Sequence, residues 1–398
     1  MARLRRTAGS VMRRALPRVV LQRLHRASSS PSRPAPEPPR APTAPTEPRE
    51  RLAAALELVA EAEQLDDSLP TGDRTTVWAR GRVVRRPDLP LPLQALLPLT
   101  EREDWGPDEP DVTVHQSPVA ADLVVLAKFD VNAGIKLRAA YGDGLTLAIQ
   151  PPSSGHDGIA RAVAAHQVVP RHAPGLMPAL LGHGQLSPGM PYLVESWLEG
   201  EPLVSGRRLA DATPEILGQL AAVHRGIGVD GVELSAHWQH VRGRWEETVR
   251  TGIVPDPLAA WVDGLLRRDG RLRRSWVHGD LVASNAMCTP GGVALIDWEH
   301  SQVAPVMNDA AKLHLFSPDP GRTLEQVLHG FSDAPSGSGR LSGPGTYSPA
   351  EELALAHAQL ISRYPRRRAA LGGHPRAEIF EQQIRRQVTR LEQVHQAA

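Results

Sequence analysis

Two short runs hold the residues best suited to chemistry. Trp276-Val277-His278-Gly279-Asp280-Leu281-Val282-Ala283-Ser284-Asn285 is followed by Val293-Ala294-Leu295-Ile296-Asp297-Trp298-Glu299. A carboxylate at a loop tip, Asp280, can accept or orient the proton of a hydroxyl. An amide oxygen further along the same loop, Asn285, can turn back onto a metal. A second carboxylate at the end of the next strand, Asp297, can hold a cation that bridges phosphates. Phosphoryl transfer needs these parts, an acceptor held in line and charge neutralised around the phosphate oxygens. Hard oxygen ligands of this kind suit Mg2+. Taken singly, each residue has an ordinary reading. His-Gly-Asp is a common turn, Asp297 could cap a strand end, and His278 and His300 read as hydrogen-bonded structural histidines. Glu299 reads as exposed or salt-bridged, and Cys288 as a small residue in a short strand. The joint spacing is what argues for chemistry.

The elements that must position these runs follow from hydrophobic periodicity. The pattern predicts a helix over about 49–65, with Leu52, Ala55, Leu56, Leu58, Val59 and Ala62 on one face. Short strands follow at 75–84, 122–129, 135–140 and 145–150, with Gly142-Asp143-Gly144 as a tight turn signal between the last two. A helix is expected near 158–169 and a further strand at 192–195. Beyond residue 200 helical patterns dominate, at 213–227, 234–251, 257–267, 349–363 and 376–396. Residues 332–348 are rich in Gly, Ser and Pro and read as a loop.

The ordered pattern His-Gly-Asp-x-x-x-x-Asn, an apolar strand, then Ile-Asp-Trp resembles the catalytic and metal loops of the aminoglycoside phosphotransferase and choline kinase group. Protein kinases have a catalytic loop of related spacing. Pro191–Pro202 (PYLVESWLEGEP) resembles the inter-lobe hinge of that family, and Leu217–His224 (LGQLAAVH) resembles the helix before its substrate region. The resemblance covers roughly 115–331. It implies an α+β, bilobal protein kinase-like fold, with a small β-rich N-lobe, a larger helical C-lobe and a disordered basic N-terminal extension. By the same resemblance Asp280 is the catalytic base or hydroxyl-orienting residue, Asn285 and Asp297 are the metal ligands, and His278 braces the loop. Pro305 and Asp309 match a later structural feature. The backbone around Glu195–Trp197 would meet the adenine. The implied reaction moves the γ-phosphate of ATP, with Mg2+, to a hydroxyl of a small molecule such as a sugar, an aminoglycoside-like compound or an amino alcohol.

The chain departs from the family pattern in its N-lobe. A lysine on the third strand normally binds the α- and β-phosphates, and a glutamate on the next helix holds it. Here that strand is Leu145-Thr146-Leu147-Ala148-Ile149-Gln150. Gln150 lies nearest the expected place, with Ala148 the other choice. The following helix contains no glutamate. Loss of both partners avoids an uncompensated buried charge. The phosphate-covering loop, Val131-Asn132-Ala133-Gly134, has one glycine, with Asn132 and Gly134 as its contact candidates. Three readings follow. Another cation replaces the lysine, Lys136 first and Lys128 second; or the nucleotide is bound differently and phosphorylation is weak; or the chain is a pseudokinase that binds a nucleotide or a partner.

Bulk properties bound the rest. The 398 residues divide into a basic tail and Pro-rich linker (1–48), an extension (49–114), the N-lobe (115–200) and the C-lobe (201–398). Net charge is only +1, so the whole molecule is not a polyanion binder. One cysteine excludes an internal disulfide and a multi-cysteine metal site. No apolar run reaches membrane-spanning length, and a cytoplasmic location is expected. Residues 1–27 are rich in arginine and carry no acid. They read as a disordered tail, a surface helix making weak contact with anionic membrane or a transit peptide. They have no aromatic residue to stack on bases, so nucleic-acid binding is not expected.

Overall fold

The computed structural model describes residues 48–72, 74–79, 112–117, 119–126, 137–150, 157–187, 189–203, 206–239, 241–332, 346–372 and 376–398. The expectations for residues 1–47, and those for Lys128, Asn132, Gly134 and Lys136, lie outside the described residues.

Helix α1 (Pro48–Leu65) buries Ala55, Val59 and Ala62 on one face, as its period requires. Strands β1 (Arg74–Ala79), β2 (Val112–Ser117), β3 (Leu123–Leu126), β4 (Leu137–Tyr141) and β5 (Leu145–Ile149) follow, then helix α2 (Gly158–Val168) and strands β6 (Leu180–Leu186) and β7 (Met190–Ser196). They form one seven-stranded sheet in the order β2-β1-β3-β4-β5-β7-β6. The pairing of β1 with β3 is parallel and the rest are antiparallel. The sheet therefore reaches back before residue 115, where the sequence places the start of the lobe. Glu63 on α1 explains how the extension is held. Its buried carboxylate accepts hydrogen bonds from the amides of Ala120 (2.8 Å) and Ala121 (3.2 Å) and from the Tyr141 hydroxyl (3.0 Å). A buried carboxylate is tolerated only with such partners.

The larger lobe follows a two-residue strand β8 (Glu201–Pro202). It contains α3 (Gly206–Ile227), β9 (Asp230–Glu233), α4 (Leu234–Trp238), α5 (Val241–Arg250), α6 (Asp256–Arg268), β10 (Arg271–Val277), β11 (Ala286–Thr289), β12 (Gly292–Leu295) and β13 (Gln302–Pro305). Helices α7 (Met307–Phe316), α8 (Pro320–Ser332), α9 (Pro349–Ile361), α10 (Tyr364–Leu371) and α11 (Arg376–Ala397) complete it. The expected helix over 234–251 is two helices, α4 and α5, broken around Gln239. Helix α9 starts at Pro349 with a capping box between Ser348 and Glu351, worth about 1 kcal/mol. Its sequence, PAEELALAHAQLI, is apolar almost all round because the helix runs through the middle of the lobe.

Strand β10 delivers the catalytic run, and three contacts hold it. It lies between β13 and β9. Glu352 on α9 accepts from the backbone amide of Arg273 (2.6 Å) and from its Nε (2.8 Å). His224, at the end of α3, donates through Nε2 to the Trp276 carbonyl at 3.1 Å. The Leu-Ala-Ala-Val-His ending of α3 is thus a fastening for the strand that leads into His278.

Candidate active site

The His-Gly-Asp turn is built around two buried groups. Asp309, on the first turn of α7, is fully buried and accepts from the backbone amides of His278 (2.7 Å) and Gly279 (2.8 Å). Burial raises its carboxyl above the usual range, against the pull of His278 and of those two amides. Gly279 has φ +81°, and a Cβ there would sit 2.2 Å from the His300 carbonyl oxygen. Only glycine meets both conditions.

His278 links the two carboxylate loops. Its Nε2 donates to the Ile296 carbonyl (2.9 Å), the residue before Asp297. Its Nδ1 accepts from the Asp280 amide (3.2 Å). One nitrogen donating and the other accepting is the pattern of a neutral ring. Burial lowers the His278 pKa in agreement, although Asp309 and other carboxylates oppose it. The ring also rests against Trp298 at 4.6 Å. Both ring nitrogens of His278 are thus engaged, one on the Asp297 loop and one on the Asp280 amide.

The Asp280 side chain is about one-third exposed and pairs with Lys312 of α7 at 2.5 Å. Lys312 also donates to the Gly279 carbonyl at 2.6 Å. Asn285 is buried, and its Nδ2 donates to the Asp280 carbonyl at 2.9 Å. That contact fixes the amide so that Oδ1 is the oxygen turned elsewhere, 3.4 Å from the Ser284 hydroxyl. Asp297 takes a left-handed backbone (φ 66°, ψ 56°) at the entry of the single 3-10 turn Trp298–His300, and its side chain does not cap that turn. Such strain in a non-glycine residue costs about 1 kcal/mol or more and tends to collect at functional sites. The Asp297 carboxylate instead accepts from Arg138 of β4 at 2.9 Å.

The cleft above these loops is lined by Arg138, Ala148, Gln150, Glu195, Asp297 and Glu299 among others. Glu195 is buried and reaches His166 of α2 at 2.8 Å and Arg138 at 4.0 Å. Burial works against the Arg138 charge, but Asp297, Glu195 and Glu299 outweigh it and raise its pKa. Gln150 keeps its Oε1 buried without a hydrogen-bond partner among the described residues, close to the start of α2, where a Cβ on Gly158 would come within 2.7 Å of it.

The hinge differs in detail from its expected role. Glu195 enters the cleft by its carboxylate, and its carbonyl lies 3.5 Å from the Thr146 hydroxyl. The Trp197 amide donates to the Gly144 carbonyl (2.6 Å) and the Ser196 amide to that of Ala179 (2.9 Å). These two amides are therefore occupied by the protein itself. The contacts of His278 and Asn285 bring Asp280, Asn285, His278 and the Asp297 loop together. Arg138 and Lys312, the cations that meet the two aspartates, carry no local sequence signal. Among the described residues no three His, Cys, Asp or Glu cluster to hold a metal. Mg2+ needs no such cluster, since it takes one or two protein ligands and fills its shell with phosphate and water oxygens. The Asp297 carboxylate and the Asn285 amide oxygen are ligands of the right kind for it.

A β-sheet lobe and a helical lobe meet where Arg138 contacts Asp297. Residues 147–343, just under half of the chain, match a family model described as the phosphotransferase enzyme family. No curated protein matches the chain. Among solved structures, the chain is similar to a thermostable mutant of aminoglycoside phosphotransferase APH(4)-Ia in its apo form. The identity is 13%, with 69% of this chain and 94% of that one covered and a TM-score of 0.43. An aminoglycoside phosphotransferase from Alicyclobacillus acidocaldarius subsp. acidocaldarius shares 17% identity over 68% of this chain and 91% of its own, with a TM-score of 0.43. A choline/ethanolamine kinase family protein from Mesorhizobium loti shares 14% identity over 65% and 89%, with a TM-score of 0.44. No described helix is long and apolar enough to cross a membrane.

Proposed function

We propose that this protein transfers the γ-phosphoryl group of ATP, in the presence of Mg2+, to a hydroxyl of a small molecule. The observation that carries the reading is the joining of the Asp280 and Asp297 loops through one neutral histidine. Asp280 would orient the acceptor hydroxyl and accept its proton. The acceptor oxygen forms a bond to the γ-phosphorus as the bond to the bridging oxygen breaks and ADP departs. Asn285 and Asp297 would hold Mg2+, which neutralises the phosphate oxygens when bound. Lys312, already on the Asp280 carboxylate, is placed to meet negative charge arriving at that point.

The surroundings of Asp280 favour one kind of acceptor. Lys312 contacts it directly. Arg363, just beyond α9, stays open to solvent yet lies deep enough for desolvation to push its pKa down, with Arg367 and Arg244 adding to that effect and Asp280 opposing it. Of Glu246, Glu247 and Asp263, the acids that could meet a cationic substrate, Asp263 accepts from the Trp245 indole at 3.0 Å. Cations around the acceptor side suit a neutral or anionic sugar-like hydroxyl better than a polycationic aminoglycoside or an amino alcohol. The second reading is a nucleotide-binding pseudokinase, favoured by the missing third-strand lysine. ADP release with panels of neutral, anionic and cationic hydroxyl compounds separates the two. Turnover by the wild type, absent in Asp280→Asn, supports phosphotransfer. No release above that variant with any compound would leave a binding module.

A further inference from the structure

We infer that Arg138 is the cation that receives the phosphates of the nucleotide in this chain, and that Glu195 is the positioning residue that aims it. The inference rests on the phosphotransferase reading above and adds the residues that complete its N-lobe.

The place comes from the sheet register. Arg138 on β4 lies directly opposite Ala148 on β5. Directly paired residues of an antiparallel ladder project to the same face. Ala148 is one of the two positions where the family pattern has its lysine. A methyl group there is small, and both residues line the cleft with Asp297. The charge removed from one strand is thus supplied from its neighbour, onto the same patch of cleft wall.

The reach comes from the ion pair. Arg138 Nη2 stands 2.9 Å from Asp297 Oδ1. A group in hydrogen-bond contact with a metal-binding carboxylate is adjacent to whatever phosphates that metal bridges. The Arg138 side chain keeps 34% of its surface accessible, so it is not sealed into a structural pair. Arginine also offers a planar fork of donors that matches phosphate oxygens two at a time.

The support comes from two further elements. The family pattern pairs its lysine with a glutamate on the next helix. Here that helix, α2, supplies His166, which holds Glu195 at 2.8 Å. Glu195, from β7, faces the Arg138 guanidinium at 4.0 Å. Cation and carboxylate are both present on other strands, and the helix still supplies an anchor.

The test is calorimetric titration of the full chain with MgATP and, separately, with adenosine. Arg138→Ala should weaken MgATP binding about tenfold or more, the scale of a lost charge-assisted contact, while adenosine affinity stays within about twofold. Arg138→Gln keeps an amide donor for Asp297 without the charge, so it serves if the alanine variant does not fold, and it should lose MgATP to a similar degree. Glu195→Gln should cost a few-fold in MgATP affinity, and that loss should vanish in the Arg138→Gln background. Wild-type affinity for MgATP in Arg138→Gln would overturn the inference while leaving the phosphotransferase reading intact. Equal losses of adenosine and MgATP would also overturn it, since they mark a structural role. Failure of the wild type to bind any nucleotide would remove both.

Discussion

Asp280 and Asp297 each meet a cation with about a third of the carboxylate exposed, Lys312 and Arg138 respectively, but the turn that carries Asp280 is held by further buried contacts. On the C-lobe wall the Asp280 turn is fixed by neutral and buried contacts. Asp309 takes two backbone amides, His278 uses both nitrogens, and Asn285 returns to the Asp280 carbonyl. On the N-lobe wall the contact to Asp297 is a charge pair from Arg138, with about a third of each side chain still accessible. Buried, fully satisfied networks are rigid and costly to disturb. Half-exposed ion pairs contribute little stability and exchange partners readily. The difference teaches that the turn carrying Asp280 is pre-set by the fold. The Asp297 side is held by a half-exposed charge pair, which on the proposed reading an incoming anion and metal take over.

The largest expected effect strikes the pre-set wall. Asp280→Asn should lower kcat/KM by about 10²–10⁴-fold, the range for loss of a positioned acid–base group, with MgATP affinity within about threefold of wild type. Steady-state ADP release and calorimetry check both halves. A large loss of MgATP affinity instead would mean that Asp280 belongs to the nucleotide side of the comparison.

Asp309→Ala should come next. It leaves the buried amides of His278 and Gly279 without acceptors, at a cost of roughly 3 kcal/mol. Denaturant unfolding of the variant measures this. An effect below about 1 kcal/mol would show that the turn does not depend on Asp309.

Acid should loosen the same wall. Burial lowers the pKa of His224 and of His314 to about 4, from an ordinary 6.5. The unfolded chain then binds more protons between those values, so stability is full above about pH 6.5 and falls as the pH drops toward 4. Each histidine can contribute up to about 3 kcal/mol of that loss. Asp309 and Glu352, whose pKa values burial raises, act in the opposite direction and reduce the net change. Unfolding free energies across this window should decline toward acid, and His224→Gln should flatten the decline. A profile that is level or rises toward acid would contradict the buried neutral histidines.

The smallest effect tests the boundary between the walls. Lys312→Met should lower kcat about tenfold, less than the roughly 10²–10³-fold of a donor placed directly on the developing charge. MgATP affinity should be nearly unchanged, because Lys312 stands at Asp280 rather than at Asp297. A change in affinity with unaltered kcat would move Lys312 to the nucleotide side.

The legibility of the molecule divides along the same line. Asp280, Asn285 and Asp297 were readable because one loop and one short hairpin carry all three, so local spacing sets their geometry. The helices of the C-lobe were readable from their apolar periods. The cleft's cations were not. Arg138 sits in a strand, Leu-Arg-Ala-Ala-Tyr, where a lone arginine reads as a solvated edge residue. Its partner Asp297 is 159 positions away, and the register that sets it against Ala148 is not visible in the local sequence. Glu195 read as part of a hinge, since nothing local shows that its carboxylate turns onto His166. Lys312 is one polar residue on a mostly buried helix and needed the packing of α7 on the His-Gly-Asp turn to gain meaning. Strand β6, rich in glycine and polar residues, lacks the alternation that marks a strand.

The most direct test of the central claim is titration of the wild type and of Asp297→Ala with ATP, with and without Mg2+. Saturable binding that requires Mg2+ and weakens at least about tenfold in the variant is the predicted result. A wild type that binds neither ATP nor GTP under any of these conditions would contradict the account and leave a kinase-shaped domain without kinase chemistry.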